Sequence, residues 1–396
     1  MSHKDPAQLN NTLISAIWKE GLVRAPGVQE AFRHVHRHLF LPNVPLEKVY
    51  TDQAIPLKYD RNGFLISSCS QPTMIAIMLD QLRLKPGDNV LEIGTASGYN
   101  AALMQHIVGP QGRVTTVEID RDLAEQAEKN LNRAKASDVR VVNADGAFGY
   151  LPRAAYDHII ATVGVWDLPP AWIRQLKDKG SLLVPIWVDG MQVSACFRKQ
   201  DDGTLLSEDN RGCAFVYMRG DEAVPDMRRQ VGSSSLYIVS DAAPSVDTVQ
   251  LHTLLSDDYE LVNIEPRLKA AEYWSSVQPY VMMNTPPHAS FVLYTVMEGN
   301  KAYGLEGQGL GLIMRGSAVF APYREVGVVH AYGSSDALLL FQDILDRWKA
   351  DHYPSMRQLR LRLIPRSAAP SSVETGKLVE RKHHVLHIWQ ETLHPS

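Results

Sequence analysis

Residues 90–99 read Val-Leu-Glu-Ile-Gly-Thr-Ala-Ser-Gly-Tyr, an apolar strand that runs into a glycine-bearing loop and then into a helix. Gly94 and Gly98 have the spacing G-x-x-x-G, and Glu92 lies two residues before the first glycine. Such a loop lets a ligand approach the backbone closely, and the helix that follows offers free N–H groups. The spacing differs from that of the P-loop, which excludes that motif. It also differs from the G-x-G-x-x-G of dinucleotide-binding folds, so a dinucleotide is a less favoured ligand. The remaining alternative is a glycine turn that only packs a helix against a sheet.

Two acidic residues follow the next predicted strands of the same region. Glu118 lies in the segment 117–120, twenty residues beyond Gly98, and Asp145 lies in the segment 143–146. A carboxylate at the first position can accept hydrogen bonds from ribose hydroxyls, and one at the second can meet an adenine amino group. All three features come at the C-terminal ends of strands, where open α/β sheets bind ligands. Together they predict a nucleoside pocket.

The hydrophobic pattern predicts an α/β fold built on a parallel sheet that is covered on both faces. Predicted strands lie at 89–93, 113–119, 139–142, 158–161 and 181–186, and predicted helices at 9–40, 74–82, 99–108, 123–136 and 172–176. The alternation ends near Arg219. We therefore predict a catalytic domain at 1–220, with a helical N-terminal segment over about 1–73, and a linker at 221–235. A C-terminal α+β part follows at 236–396, with strands at 290–297, 309–315, 326–331 and 359–364 and a helix at 337–349.

Composition excludes several classes of protein. The chain has 396 residues, of which 45% are hydrophobic and 21% charged, which is typical of a folded protein of more than one domain. A net charge of −4 argues against a polycation that binds nucleic acid by charge. The three cysteines form no CxxC, which argues against a disulfide scaffold and a cysteine zinc site. We expect a cytoplasmic protein without a membrane span, because no apolar run approaches the ~18–20 residues required.

The motifs LEIGTASG, TVEID and NADG resemble those of class I S-adenosylmethionine-dependent methyltransferases. Blocks at 50–57, 70–76, 145–150, 156–162 and 180–185 further resemble protein-L-isoaspartate O-methyltransferases, in the same order over about residues 10–220. The resemblance implies a doubly wound, Rossmann-like domain, S-adenosylmethionine as cofactor, and a peptide or protein carboxylate as methyl acceptor. That carboxylate is ionised at neutral pH, so no general base is needed. Catalysis would then depend on orientation and on the exclusion of water.

The resemblance also implies roles for individual residues. Ser70 would be the catalytic residue, in contact with the acceptor carboxylate, although from the residues alone it is as readily a helix N-cap before Pro72. The implied cofactor-binding residues are Glu92, Gly94, Thr95, Ser97, Gly98, Glu118, Ile119, Asp145, Gly146 and Thr162. The implied substrate-binding residues are Ser68, Cys69, Ser70, Gln71 and Val163. No metal site is expected.

Two departures from the usual repair enzyme favour a more specific prediction. The segment Ile66-Ser67-Ser68-Cys69-Ser70 is rich in hydroxyl and thiol groups, where the family usually has an apolar residue and a threonine before the serine. The chain also continues to residue 396, whereas the usual enzyme ends near 216–218. This resembles a subgroup associated with ribosomally synthesised modified peptides such as lanthipeptides, graspetides and lasso peptides. Members methylate a normal aspartate in a constrained peptide, which leads to aspartimide or isoaspartate.

We therefore predict a peptide aspartyl O-methyltransferase whose C-terminal part is a candidate for recognising the modified peptide. The alternatives are an isoaspartate (D-aspartate) repair enzyme with an appended domain, an inactive peptide-binding module, a nucleic-acid or small-molecule methyltransferase, and an accessory or dimerisation role for the C-terminal part. The oligomeric state stays open.

The C-terminal part contains two further features that invite a functional interpretation. Seven basic residues lie between 357 and 382, which would suit an acidic peptide but are more simply a solvated strand face. His383, His384 and His387 have no carboxylate or cysteine nearby that completes a recognisable ligand set, so a metal site is not favoured.

Overall fold

The computed structural model of the chain describes residues 5–391. The ends of the two predicted domains, residues 1–4 and 392–396, lie outside this range. Three helices open the chain: α1 (Pro6–Lys19), α2 (Pro26–His34) and α3 (Leu46–Val49). The segment 9–40, predicted to be helical throughout, is instead divided between separate helices. The second of them begins at Pro26, because proline is well suited to the first turn of a helix. An antiparallel hairpin of β1 (Ile55–Tyr59) and β2 (Leu65–Cys69) follows.

The first sheet is built as the apolar runs predict. Its strands here are β3 (Asn89–Ile93), β4 (Arg113–Glu118), β5 (Arg140–Asn143), β6 (Tyr156–Ala161), β7 (Leu176–Val188), β8 (Met191–Lys199) and β9 (Leu205–Cys213). The helices between them are α4 (Pro72–Leu82), α5 (Tyr99–Val108), α6 (Arg121–Arg133) and α7 (Pro170–Gln175). Five strands are parallel in the order β5-β4-β3-β6-β7, and β8 and β9 extend the sheet antiparallel. The strand order reverses between β3 and β6, which is where such sheets bind ligands. The doubly wound α/β prediction is confirmed.

A second, antiparallel sheet contains β10 (Arg228–Gln230), β11 (Leu236–Val239), β12 (Tyr259–Asn263), β13 (Ser290–Val296), β14 (Gln308–Met314), β15 (Ser317–Pro322) and β16 (Val328–Gly333). The strand order is β10-β11-β13-β14-β15-β16-β12. Helices α8 (Thr248–Ser256), α9 (Ala270–Glu272), α10 (Gln278–Asn284) and α11 (Asp336–Ala350) accompany it. This is the C-terminal α+β region that the sequence predicts.

The chain then returns to the first sheet. Strands β17 (Leu359–Pro365), β18 (Lys377–Glu380) and β19 (His384–Gln390) continue it in the order β9-β17-β19-β18. The alternation of leucine and arginine in β17 explains why this strand joins the first sheet. Its leucines share one face, and Leu361 and Leu363 are fully buried in the same core as Leu182 of β7. Pairing with β17 also covers the edge of β9, which would otherwise expose unpaired backbone groups. The part at 236–396 is therefore not one separate body, since its last strands complete the catalytic sheet.

The first sheet has a core on each face. Helices α1, α2, α4, α5 and α6 cover one face, and α7, α10 and α11 contribute to the core on the other. Within residues 5–391, no helix combines the length and hydropathy that a membrane span requires. The same residues contain no group of three or more His, Cys, Asp or Glu side chains arranged to hold a metal ion.

Candidate active site

A narrow cavity lies where β3, β4 and β6 end, at the reversal of strand order. Its walls are residues 66–68 of β2, the loops after β3, β4 and β6, and residues 215–219, which follow β9. Its volume is about 60 Å³. Ordinary small-molecule sites enclose ~300–1,000 Å³. The position agrees with the predicted nucleoside pocket, and residues 215–219 close one side of it.

The glycines of the loop are required by close backbone contacts. Gly94 has a φ of +99°, and a Cβ there would lie 2.7 Å from the hydroxyl oxygen of Thr162. The Thr162 hydroxyl in turn donates to the carbonyl oxygen of Gly94 at 2.7 Å. Gly146 lies equally close to β3, because a Cβ there would be 2.5 Å from the Cγ2 atom of Ile93. The chain therefore keeps bare backbone at this surface, as a ligand that approaches closely requires.

Glu118 and Ile119 lie on the cavity wall. The Glu118 carboxylate accepts backbone N–H groups of Ala96 at 2.9 Å and Asp120 at 3.1 Å, which fixes its orientation. Burial raises the pKa of the Glu118 carboxyl above its ordinary value. Ile119 adds partly exposed apolar surface beside it.

Asp145 is held at both oxygens. Its Oδ1 accepts the N–H of Ala147 at 2.9 Å, and its Oδ2 accepts the N–H of Asp221 at 2.8 Å. The segment after β9 therefore passes directly over the residue that the sequence assigns to the adenine end. The assignment itself stays a prediction.

Three predicted cofactor-binding residues, Glu92, Thr95 and Ser97, are buried and are not among the residues that line the cavity. Glu92 is fully buried and accepts the Thr116 hydroxyl at 2.6 Å and the Asn100 amide at 2.8 Å. Burial raises its pKa to about 7. The hydroxyls of Thr95 and Thr116 share a hydrogen bond of 2.7 Å, and the carbonyl of Ser97 accepts the amide of Asn130. Glu92 and Thr95 thus support the loop through their side chains and Ser97 through its carbonyl, so their contact with the cofactor remains a prediction. The same holds for Gly98, the N-cap of α5, which has a φ of +85°.

The predicted substrate residues fall into two groups. Ser68, with its neighbour Ser67, and Val163 line the cavity. Cys69 is buried, Ser70 is half-buried and Gln71 is exposed, and these three lie just beyond the cavity at the start of α4. The structure thus brings Ser68 and Val163 together, with Ser70 at the end of the same wall.

Arg37, which no sequence pattern singles out, has no exposed side-chain surface. Its guanidinium donates to the carbonyl oxygens of Val49, Thr51, Gln53, Cys69 and Ser70, at 2.8 to 3.3 Å. Arg37 thereby connects the segment that carries Ser70 to residues 49–53 through hydrogen bonds. A lone arginine among histidines gives little sequence signal for this role.

Asp52 was also missed as a site-forming residue. Its carboxylate accepts the backbone N–H and the hydroxyl of Thr73, both at 2.8 Å, and the amide of Gln71 at 3.0 Å. It therefore caps α4 and orients the segment that carries Ser70.

A further missed element is the segment 215–222, which we call the strap. Its backbone pairs with Gly164 through N–H···O bonds of 2.8 Å to Val216 and from Met218. Arg219 forms an ion pair with Asp120, which Lys58 also contacts at 3.1 Å. The sequence pattern shows only the end of a strand here, because the segment's partners are distant in the chain.

The basic residues between 357 and 382 are mostly engaged in pairs. Arg360 contacts Glu391 at 2.7 Å, Arg366 contacts Glu380 at 2.8 Å and Lys382 contacts Glu222 at 2.9 Å. Arg381 is buried against Asp241. They do not form one free basic face.

The residues that line the cavity, though not its volume of about 60 Å³, fit a nucleoside cofactor. A ribose needs acceptors such as the Glu118 carboxylate, a base needs apolar surface such as Ile119, and both need the close approach that Gly94 and Gly146 allow. The doubly wound sheet and the glycine-bearing loop after β3 are those expected from the resemblance to class I methyltransferases, the class that uses S-adenosylmethionine. The family itself follows from comparison with known proteins.

The family model "Protein-L-isoaspartate(D-aspartate) O-methyltransferase (PCMT)" matches residues 7–223. A protein-L-isoaspartate O-methyltransferase of Methanopyrus kandleri is 37% identical over 211 residues, which cover 53% of this chain and 91% of that protein. One of Pyrococcus horikoshii is 34% identical over 226 residues, or 56% of this chain and 97% of that protein. The chain therefore belongs to the protein-L-isoaspartate(D-aspartate) O-methyltransferase family, and it is a protein carboxyl O-methyltransferase with S-adenosylmethionine as cofactor.

The fold is shared beyond the matched region. A solved protein-L-isoaspartate O-methyltransferase is similar over 96% of this chain and 98% of its own, with a TM-score of 0.51 and 23% identity. A protein of that name thus has the same overall fold, C-terminal part included. The extension alone does not separate a biosynthetic from a repair enzyme.

Proposed function

We propose that the chain methylates the side-chain carboxylate of a normal aspartate in a constrained, ribosomally synthesised peptide, which leads to aspartimide or isoaspartate. The observation that carries the proposal is a broad groove that is built largely by the second sheet and is lined on one side by Phe64, at the tip of the β1–β2 hairpin. Its volume is about 1,260 Å³, larger than sites for drug-sized molecules. A peptide with some bulk is the ligand that such a groove suits.

The β1–β2 hairpin contributes residues to both the groove and the cavity. Phe64, at the tip of the β1–β2 hairpin, lines the groove, and Ile66 and Ser68 line the cavity. At ~3.3 Å per residue, Phe64 and Ser68 are roughly 13 Å apart. A peptide in the groove can therefore present one side chain to the cavity.

The far wall of the groove is polar and of mixed charge. Its ionisable residues are Asp226, Arg228, Glu298, Lys301, Glu306, Arg324 and Glu325. The Arg228 guanidinium lies 5.4 Å from the ring centroid of Phe64 and also pairs with Asp226 at 3.1 Å. The hairpin tip and the second sheet are thereby joined at the groove. Such a surface favours a peptide by shape and hydrogen bonding rather than by net charge.

The chemistry asked of the chain is modest. S-adenosylmethionine supplies a methyl group that is already activated on a sulfonium, and the acceptor is an ionised carboxylate. In this proposal the hydroxyls of Ser67 and Ser68, which line the cavity, orient that carboxylate together with Ser70, which follows β2. The strap and Val163 exclude water from the cavity. The three cysteines of the chain are free and buried, which suits the cytoplasmic location that we include in the proposal.

A second candidate is methylation of isoaspartate in protein repair. The curated relatives at 34–37% identity carry that name, and this observation favours it. The two candidates differ only in which carboxylate is the acceptor.

Mass spectrometry of matched peptides with S-adenosylmethionine tests the choice. One set carries normal Asp before a small residue, in linear and macrocyclised forms, and the other carries isoaspartate at the same site. A gain of one methyl group, or a later loss of methanol, on the constrained normal Asp supports the proposal. Methylation of isoaspartate in linear peptides alone would replace it with the repair activity.

A further inference from the structure

The turn after β18 together with the first residue of β19, residues 381–384, contacts two walls of the cofactor cavity. We call it the clamp turn. Its four consecutive side chains are Arg381, Lys382, His383 and His384. Each one contacts either the loop at 162–168 or an acidic residue close to it, as the next paragraphs describe.

The contact with the loop is almost entirely buried. The Nδ1 atom of His384 lies 2.7 Å from the Oδ1 atom of Asp167, and the side chains are only 6% and 2% exposed. The other carboxylate oxygen accepts the backbone N–H groups of His383 at 2.6 Å and His384 at 3.2 Å. Hydrogen bonds to a charged group are stronger than neutral ones. Asp167 is therefore fixed to the clamp turn by three donors.

Arg381 strengthens the same attachment. Its guanidinium lies 4.9 Å from the ring centroid of Trp166, the residue before Asp167, and pairs with Asp241 at 3.1 Å. A guanidinium on an aromatic face in a buried setting is a favourable contact. The loop is thus held at two successive residues.

The contact with the strap is made by one carboxylate. The Oε1 atom of Glu222 lies 2.9 Å from both the Nζ atom of Lys382 and the Nε2 atom of His383. His383 therefore contacts the strap through its ring and the loop through its backbone.

The loop and the strap are the two walls that this turn connects. Thr162 and Val163 of the loop line the cavity, and so do residues 215–219 of the strap. Gly164 joins the walls through backbone hydrogen bonds of 2.8 Å with the strap. The clamp turn therefore contacts two walls that also contact each other.

We propose that His384 and His383 are positioning residues for the cofactor site, acting through Asp167 and Glu222, so that the C-terminal hairpin is part of the methyl-transfer machinery. This goes beyond peptide recognition, and it does not depend on which peptide is the substrate. The competing view is that the hairpin serves only the substrate groove or only the stability of the fold.

The test measures binding of S-adenosylhomocysteine to the full-length chain by calorimetry, without any peptide. We expect His384→Ala to weaken binding about tenfold, which corresponds to ~1.4 kcal/mol. His384→Asn is expected to restore most of the affinity, because its amide can donate to Asp167 from the same distance along the side chain. The matched control is His387→Ala, since His387 lies on the same strand but contacts the carbonyl of Thr375 within the hairpin.

Lys382→Ala and His383→Ala keep the proposal testable if His384→Ala does not fold. Both positions are partly exposed, and both changes leave the buried Asp167–His384 pair in place. We expect each to weaken binding by about threefold. Wild-type affinity in folded variants of the clamp turn would overturn the proposal. An equal loss in His387→Ala, or no recovery in His384→Asn, would do the same, because either would indicate a role in stability alone.

Discussion

Arg37 donates a hydrogen bond from its Nη2 atom to the carbonyl oxygen of Ser70, at 3.0 Å, from a side chain with no exposed surface. The same guanidinium holds four other carbonyls. The position of the predicted catalytic serine is therefore set by a residue of the N-terminal helical segment. A positioning role of this kind differs in its kinetics from a role in cofactor binding.

Arg37→Lys is expected to lower kcat about tenfold while the affinity for S-adenosylhomocysteine stays within about twofold of wild type. Lysine keeps the charge but donates from one nitrogen atom, whereas the guanidinium donates from several. Some of the buried carbonyl groups therefore lose their hydrogen-bond donor. Steady-state kinetics and calorimetry measure the two quantities. Arg33→Lys is the control, because Arg33 is half-exposed and contacts only Glu30. A fall in cofactor affinity as large as the fall in kcat would contradict the assignment.

Ser70→Ala is expected to retain cofactor binding and to lower the methylation rate. Ser70 is half-buried and lies beyond the residues that line the cavity, so the loss of its hydroxyl leaves the cofactor walls intact. Ser68→Ala is the informative companion, since Ser68 lies on the cavity wall itself. Wild-type turnover in Ser70→Ala together with a slow Ser68→Ala would transfer the catalytic role to Ser68.

Glu118→Ala is expected to weaken S-adenosylhomocysteine binding at least about tenfold with the fold intact. The carboxylate lies on the cavity wall and is held in a fixed orientation by two backbone N–H groups, so we expect it to accept hydrogen bonds from the ligand. Glu125→Ala is the matched control, because Glu125 is exposed on α6 and pairs with Arg121. Unchanged binding in Glu118→Ala would remove this residue from the cofactor site.

The local hydrophobic pattern of the sequence predicted the strands of the catalytic sheet well. It predicted poorly the contacts between segments that are distant in the sequence. β3 lies at its predicted bounds because it is a continuous apolar run between turn residues. The β1–β2 hairpin was missed since its strands are short and mix buried, half-buried and exposed residues, so neither gives a strong apolar signal. The pairing of β17 with β9 could not be predicted, because nothing near Leu363 in the sequence identifies Leu205 as its partner.

The same distinction holds for the site. The glycines and Glu118 were found because their signals are local: a backbone requirement or an acid at a strand end. Arg37 and the clamp turn were missed because their roles arise only when distant segments meet. His383 and His384 lacked a carboxylate in their own stretch of sequence, whereas the fold supplies Glu222 and Asp167.

The free energy of unfolding is expected to decrease as pH rises, because of the buried carboxyl group of Glu92. Burial raises its pKa to about 7 in the folded chain, from an ordinary value of 4.5. The folded state thus binds this proton more tightly than the unfolded state, so the contribution is fully present below pH 4.5 and is lost as pH rises through 7. A shift of this size corresponds to roughly 3 kcal/mol. Urea unfolding of wild type and Glu92→Gln between pH 5 and 8 measures it. Parallel pH profiles for the two proteins would contradict the expected protonation of Glu92.

Phe64→Ala is expected to raise the KM for a constrained peptide several-fold and to leave S-adenosylhomocysteine affinity unchanged. Phe64 lines the groove but not the cavity, and its ring is more than half exposed, so it is available to a ligand. Removing it also releases Arg228 from the hairpin tip. Val249→Ala serves as the control, because Val249 is a highly exposed apolar residue of α8 outside the groove. An unchanged KM for every peptide tested would place the substrate elsewhere and leave the groove without a role in the reaction.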